Sequence, residues 1–351
     1  MTKPDDDALW PGILYCAGIA SLSFATWLFF KPVSSLMWAF IYSIAIANLV
    51  ELPNRLTRGI NLCAGDFLRG VIAALGIVTS ALIWLQVGLG VLNALIVVFF
   101  SYFFGLWLGK NFGLNKKIAT LIGVGTSICG ASAIAATGPA IGAKEEEMGV
   151  ALACITLFGL IAMFAYPFLF LSTPVGGWLR NSVSAYGIWC GSGVHETAQV
   201  IAAAGALDPS AIGPAILVKS IRIFMIGPMI LLATYILSRS SKDAPGKSAT
   251  KIVLPVFGLV FIFNSIFCAF LDANAPFIKS MGFDWHSVKG VLSGTVFPFL
   301  LATAFAGVGS KVRFRLIARI GVRAFAFGAL MATLAGMLAL VLAVAVAPYV
   351  D

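Results

Sequence analysis

Apolar stretches of about one bilayer's length alternate with short polar connections along the whole chain. They lie near residues 11–30, 35–52, 68–87, 90–109, 118–140, 148–171, 182–204, 212–237, 252–271, 289–307 and 324–347. A crossing needs roughly 20 mostly apolar residues, so the pattern predicts an all-α polytopic membrane protein with about eleven transmembrane helices. Asp5, Asp6 and Asp7 precede the first stretch and no basic segment does, so that stretch reads as a retained helix and not a cleaved leader.

The stretch 118–140 differs from its neighbours. Its centre reads Gly125-Thr126-Ser127-Ile128-Cys129-Gly130-Ala131-Ser132, with Pro139 near the far end. Glycine and small hydroxyl residues weaken a helix, and in lipid a helix breaks only where protein or a water-filled cavity re-satisfies the backbone. A break would present half-helix N-termini, with free N–H groups and positive dipole ends, at mid-membrane depth. The same composition also suits close packing of helices. Setting residues 1–35 aside as an extra helix leaves two groups of five, 36–171 and 172–351, and an odd repeat inverts its orientation. The tenth stretch, with Ser293, Gly294, Thr295 and Pro298, echoes the fifth. Interrupted helices at matching places in two halves point to a binding site.

Composition agrees with this reading. Of 351 residues, 60% are hydrophobic and 11% charged, with a mean hydropathy of +1.00. The net charge of +9 does not indicate nucleic-acid binding, because the basic residues gather in alternate loops. One set of loops holds Arg55, Arg58, Lys110, Lys116, Lys117, Arg180, Lys311, Arg313 and others, the opposite set only Lys31, Lys144, Lys279 and Lys289. The positive-inside rule then puts the N-terminus in the cytoplasm and the C-terminus outside. The loop with Pro245 and Gly246 reads as a flexible cytoplasmic connection. Six scattered cysteines form neither a disulfide framework nor a metal-ligand pattern.

Ionisable groups at depth are few. The seventh stretch carries Ser192, His195, Glu196 and Gln199, and the eighth carries Lys219 and Arg222. On one continuous helix Ser192, Glu196 and Gln199 would share a face, and Glu196 would neutralise Lys219 or Arg222. Packing or snorkelling is the structural alternative. No Asp or Glu lies in 118–140, 148–171 or 289–307, so the breaks suit an anion better than a cation. Thr126, Ser127, Cys129, Gly130 and Ser132 would bind it, opposed by Ser293, Gly294 and Thr295, with Arg222 supplying charge. Ser192, His195, Glu196, Gln199 and Lys219 would line the cavity, and His195 and Glu196 would couple transport to protons, His195 having an unperturbed pKa of about 6.5.

Enzyme readings fit less well. His195-Glu196-Thr197-Ala198-Gln199 lacks the second histidine of a zinc-protease helix, and Ser127 or Ser192 with His195 or His286 shows no oriented third member. The expectation is a non-enzyme without cofactor, apart from a coupling H⁺ or Na⁺.

Thr126-Ser127-Ile128-Cys129-Gly130-Ala131-Ser132-Ala133, Tyr186-Gly187-Ile188 through Gly191-Ser192, and Val194-His195-Glu196-Thr197-Ala198-Gln199-Val200 resemble the YeiH-like sulfate-exporter family. Phe158-Gly159, Tyr166-Pro167, Lys219 with Arg222, and Phe263-Asn264-Ser265 extend the resemblance from about residue 36. It implies membership of the cation/proton antiporter and bile-acid symporter superfamily: inverted five-helix repeats, a core with two crossing broken helices, and elevator-like movement against a dimerising scaffold. The tenth stretch departs from the family pattern. Together these features predict a secondary transporter, acting as an exporter, in the bacterial inner membrane. Sulfate or an organosulfonate is the first choice of substrate, an H⁺- or Na⁺-coupled carboxylate carrier the second, and an intramembrane hydrolase a distant third. The expected partners are the lipid bilayer, the anion and a second copy of the chain.

Overall fold

A computed structural model describes residues 8–30, 33–81, 88–238, 256–317 and 321–350. Asp5–Asp7, Lys31 and the Pro245-Gly246 connection lie outside the described residues. Among those described, the chain is helical and has no strand. In order the helices are α1 Trp10–Phe29, α2 Ser35–Leu49, α3 Asn54–Val78, α4 Gly88–Asn111, α5 Lys116–Ser127, α6 Ala131–Ala140, α7 Glu145–Ser172, α8 Val183–Gly193, α9 Thr197–Leu207, α10 Ile212–Phe224, α11 Ile226–Ser238, α12 Val256–Ala273, α13 Trp285–Ser310 and α14 Val322–Val346. Eight spans are long and apolar enough to cross a bilayer, α10 and α11 together making one of them. Three of the predicted stretches fall instead on shorter elements: 35–52 on α2, 118–140 on the pair α5 and α6, and 182–204 on the pair α8 and α9.

The chain forms two compact units. The first comprises residues 1–85 and 256–314. Here α13 runs from Trp285 to Ser310 with a π turn at Leu292–Val296, and α3 carries another at Cys63–Phe67. The interruption expected around Ser293, Gly294 and Thr295 is therefore a widened turn and not a break. Pro298 cannot donate to the carbonyl four residues back, and one extra residue in the turn absorbs that loss without parting the helix. Glycines bring helices close: a Cβ at Gly307 would stand 2.8 Å from the Ala64 nitrogen. At one end, Asp272 joins Lys289 at 2.7 Å and accepts from Trp285 Nε1 at 2.8 Å, tying α12 to the start of α13. Asp272→Asn is expected to lower thermal stability by about 1 kcal/mol, since the pair is only partly buried; a melting curve checks it.

The second unit comprises residues 86–255 and 315–351. It contains both interrupted pairs. Tyr166 of α7 stacks on Trp189 of α8 at 4.0 Å between centroids, and Trp189 Nε1 donates to the Gly336 carbonyl of α14 at 3.0 Å. Tyr186 Oη donates to the Ala203 carbonyl at 2.8 Å, so a residue of α8 holds α9 across their own break. Gly187 and Gly191 face α10 so closely that a Cβ would lie 2.6 Å from Ala211 O and 2.5 Å from Ala215 O. This four-residue spacing of small residues lets two backbones approach.

Candidate functional site

Four helix ends meet in the second unit. α5 stops at Ser127, after which Ile128 takes φ −115°, ψ −97°, and Gly130 takes φ +67°, a left-handed value that favours glycine. The chain then re-enters a helix at Ala131. α8 stops at Gly193, Val194 and Glu196 take extended dihedrals on either side of His195, and α9 starts at Thr197. Each half has ten to twelve residues, so it reaches about half the bilayer core at 1.5 Å per residue.

A helix end leaves carbonyls without partners, and buried carbonyls must find donors. At the end of α5, Val124 O receives Ile128 N and Gly125 O receives Gly130 N, which leaves Thr126, Ser127 and Ile128. Arg222 serves the first two, donating from Nη2 to Thr126 O at 2.5 Å and from Nε to Ser127 O at 3.0 Å. Lys219 Nζ serves the third, at 2.8 Å from Ile128 O. The same two side chains close α8. Arg222 Nη1 donates to Gly191 O at 3.0 Å, Ser192 O at 2.5 Å and Val194 O at 3.2 Å. Lys219 Nζ donates to Val194 O at 3.0 Å and to His195 O. Both cations are fully buried. Standing at the negative ends of two helix dipoles, they stabilise both breaks at once.

The other two ends are starts. Glu196 and Gln199 stand at capping-box spacing at the start of α9, where Gln199 Oε1 accepts from Glu196 N at 3.2 Å. Thr156 Oγ1 donates to Glu196 Oε1 at 3.2 Å, and Gln199 Nε2 donates to Thr156 O at 3.2 Å, fixing α9 on α7. α6 begins after Gly130 with no side-chain cap from that position. Its first turn carries exposed Ser132, and the Cys129 sulfur lies in hydrogen-bonding reach of Ser132 and of the Ala133 N–H. Glu196 is close here too: a Cβ at Gly130 would stand 2.7 Å from Glu196 Cγ and 2.9 Å from Ile155 Cγ2.

Several buried polar atoms at or near this crossing have no protein partner: Thr126 Oγ1, Ser192 Oγ and both ring nitrogens of His195. Ser127 Oγ donates to Val124 O at 2.9 Å. Buried polar groups are normally paired by protein, water or ligand, so the crossing offers hydrogen-bonding capacity that the polypeptide does not use.

The structure thus gathers Thr126, Ser127, Cys129, Gly130, Ser132, Ser192, His195, Glu196, Gln199, Lys219 and Arg222 around one crossing. Ser293, Gly294 and Thr295 belong to the first unit, where they are exposed on the π turn, with Ser293 Oγ donating to Gly290 O at 3.3 Å. Lys219 and Arg222 were expected as counter-ions of Glu196; their hydrogen bonds are to carbonyls, and Lys219 also lies within electrostatic reach of Glu196. Ser192, Glu196 and Gln199 do not share one helical face, because the break separates Ser192 from the other two. Thr156 escaped the sequence reading, since a lone threonine within an apolar helix gives no local signal.

The chain matches the family described as Conserved hypothetical protein 698 over residues 11–328. It is 29% identical over 305 residues to a UPF0324 membrane protein of Haemophilus influenzae, covering 85% of each chain. To a UPF0324 membrane protein of Pseudomonas aeruginosa it is 28% identical over 330 residues, covering 92% of this chain and 90% of the other. To the UPF0324 inner membrane protein YeiH of Escherichia coli it is 35% identical over 236 residues, covering 67% of this chain and 62% of YeiH.

Proposed function

From the premise that this chain belongs to the UPF0324 family of membrane proteins, we propose that it is a secondary transporter moving a small anion across the bacterial inner membrane. One observation carries this reading: the charge balance at the crossing. Two helix starts and two helix ends contribute dipole charges of opposite sign that cancel. Lys219 and Arg222 set against Glu196 leave one positive charge in excess, buried among unpartnered hydroxyls. That excess attracts an oxyanion. Backbone N–H groups at the start of α6, with Ser132 and the Thr126 and Ser192 hydroxyls, are the donors for that anion. Sulfate and organosulfonates remain the first-choice substrates, and the protein is not an enzyme in this reading. Alternating access by elevator-like displacement belongs to the same proposal, supported by the division into two compact units of which one holds the whole crossing. So do the cytoplasmic N-terminus, the outer C-terminus and a homodimeric assembly.

The test is thermal shift of the purified protein against sulfate, methanesulfonate, taurine and bicarbonate, because a ligand that binds the folded state raises its stability by mass action. A selective rise with one oxyanion is expected. Thr126→Val should then lose at least about tenfold in affinity while melting no lower than wild type, since the hydroxyl it removes has no protein partner to lose. Wild-type affinity in Thr126→Val would remove this side chain from the site, and no shift with any anion would sink the reading.

A further inference from the structure

Resting on the anion reading above, we propose that the Glu196 carboxylate is the resident anion of the empty site and that substrate binds by displacing it after it takes up a proton. The start of α6 is where an external anion has most to gain, and it is where Glu196 already lies. Its Cγ stands 2.7 Å from the position a Cβ at Gly130 would take, and its Oε1 3.5 Å from that position. Gly130 is the residue before α6, and its lack of a side chain is what admits Glu196. The same residue occupies the N-cap position of α9. One residue thus lies at two helix starts.

An anion arriving at α6 meets that charge, and two like charges cannot share the place without a large penalty. Protonation removes the penalty and turns Glu196 into a donor. Thr156 Oγ1 donates to Oε1 at 3.2 Å and holds the carboxylate toward α7. The proton comes from the aqueous phase that supplies the anion and leaves with it. One proton therefore accompanies each singly charged anion.

The other charged or titratable groups around Glu196 are few. Lys219 and Arg222 approach from α10 and are bonded to the carbonyls of Val194 and His195. His195 precedes Glu196, Cys129 lies in the turn before α6, α7 brings Cys154 and Tyr166, and α8 brings Tyr186 and Cys190. Asp208 closes the far end of α9 and accepts from Ser210 N. His195 is the neighbour whose ordinary pKa lies nearest neutrality, so it is tested separately.

The experiment measures methanesulfonate binding to the purified full chain between pH 5 and 8, and methanesulfonate-driven proton uptake in proteoliposomes, for wild type, Glu196→Gln, Thr156→Val and His195→Asn. Wild type should weaken by about tenfold per pH unit above the protonation point of Glu196. Glu196→Gln keeps a side-chain oxygen; it should bind with one affinity at every pH and carry the anion without proton uptake. Thr156→Val should keep the slope yet bind more tightly than wild type at high pH, because the carboxylate has lost its tether. His195→Asn should keep the slope.

A wild-type slope in Glu196→Gln overturns the proposal, as does the loss of the slope in His195→Asn, which would move the proton to the imidazole. Methanesulfonate binding that is independent of pH in wild type overturns it while leaving the anion reading intact. No binding of methanesulfonate or sulfate by any form at any pH overturns the anion reading itself. Should Glu196→Gln fail to fold, Thr156→Val decides: an affinity equal to wild type at high pH overturns the proposal.

Discussion

Arg222→Met should fail to fold to a stable native state, a larger effect than the loss of a ligand-binding group would produce. The guanidinium reaches the carbonyls of Thr126, Ser127, Gly191, Ser192 and Val194, and no water-exposed surface lies near enough to replace it, since the side chain is fully buried. Hydrogen bonds to charged groups contribute about 1.5–3 kcal/mol each, and an orphaned buried acceptor costs a further ~1–3 kcal/mol. Even with heavy discount for non-additivity, the loss is at least about 3–5 kcal/mol, a large share of a typical total stability. Arg222→Lys should recover little of it, because an ammonium is a point donor and cannot span two helix ends as the planar fork does. Yield after detergent extraction, helix content and the melting temperature measure the effect. A variant Arg222→Met that melts like wild type and fails only to bind anion would restore the guanidinium to the role of a direct ligand.

Gly191→Ala should be nearly as damaging for the addition of one methyl group. The new Cβ would lie 2.5 Å from the Ala215 carbonyl oxygen, where ordinary contact begins near 3.4 Å. The obstacle is backbone, so no rotamer change relieves it and Ala215→Gly should not rescue it. α8 must move away from α10 by about 1 Å, an overpacking that costs typically 1–3 kcal/mol. It also draws the Gly191 and Ser192 carbonyls away from Arg222 Nη1. The melting temperature should fall and anion binding should weaken together, whereas Thr126→Val separates the two. Retention of wild-type melting in Gly191→Ala would mean that the two helices have room to spare.

These two residues also show why the sequence is only partly legible. The break at Ile128 was readable because glycine and small hydroxyl residues cluster on both sides of it. The break at Val194 was hidden behind its polarity: Ser192, His195, Glu196 and Gln199 suggested a wet helical face. Gly191-Ser192-Gly193 followed by Glu196 and Gln199 at capping-box spacing is the signal for an end and a new start. The tenth stretch misled in the opposite direction, since Ser293-Gly294-Thr295 resembles a break and forms a π turn. What separates the two outcomes is not local. A glycine-rich centre can part only when another element brings donors to the stranded carbonyls, and for α5 and α8 these come from Lys219 and Arg222. Residues 91 positions apart, as Ile128 and Lys219 are, leave no mark on each other's local pattern. The fold class and most of the crossing could be inferred from periodicity and composition, but the role of the cations as shared caps could not.

That distance along the chain also sets an order in time. Translation proceeds at about 5–20 residues per second, so the end of α5 emerges roughly 5–18 s before Lys219 exists to close it. Until α10 arrives, α5 and α6 are too short to cross alone and hold carbonyls that lipid cannot satisfy. The nascent chain must therefore keep its first break in contact with water or with the insertion machinery, and a product truncated before α10 would leave that machinery as a quality-control substrate.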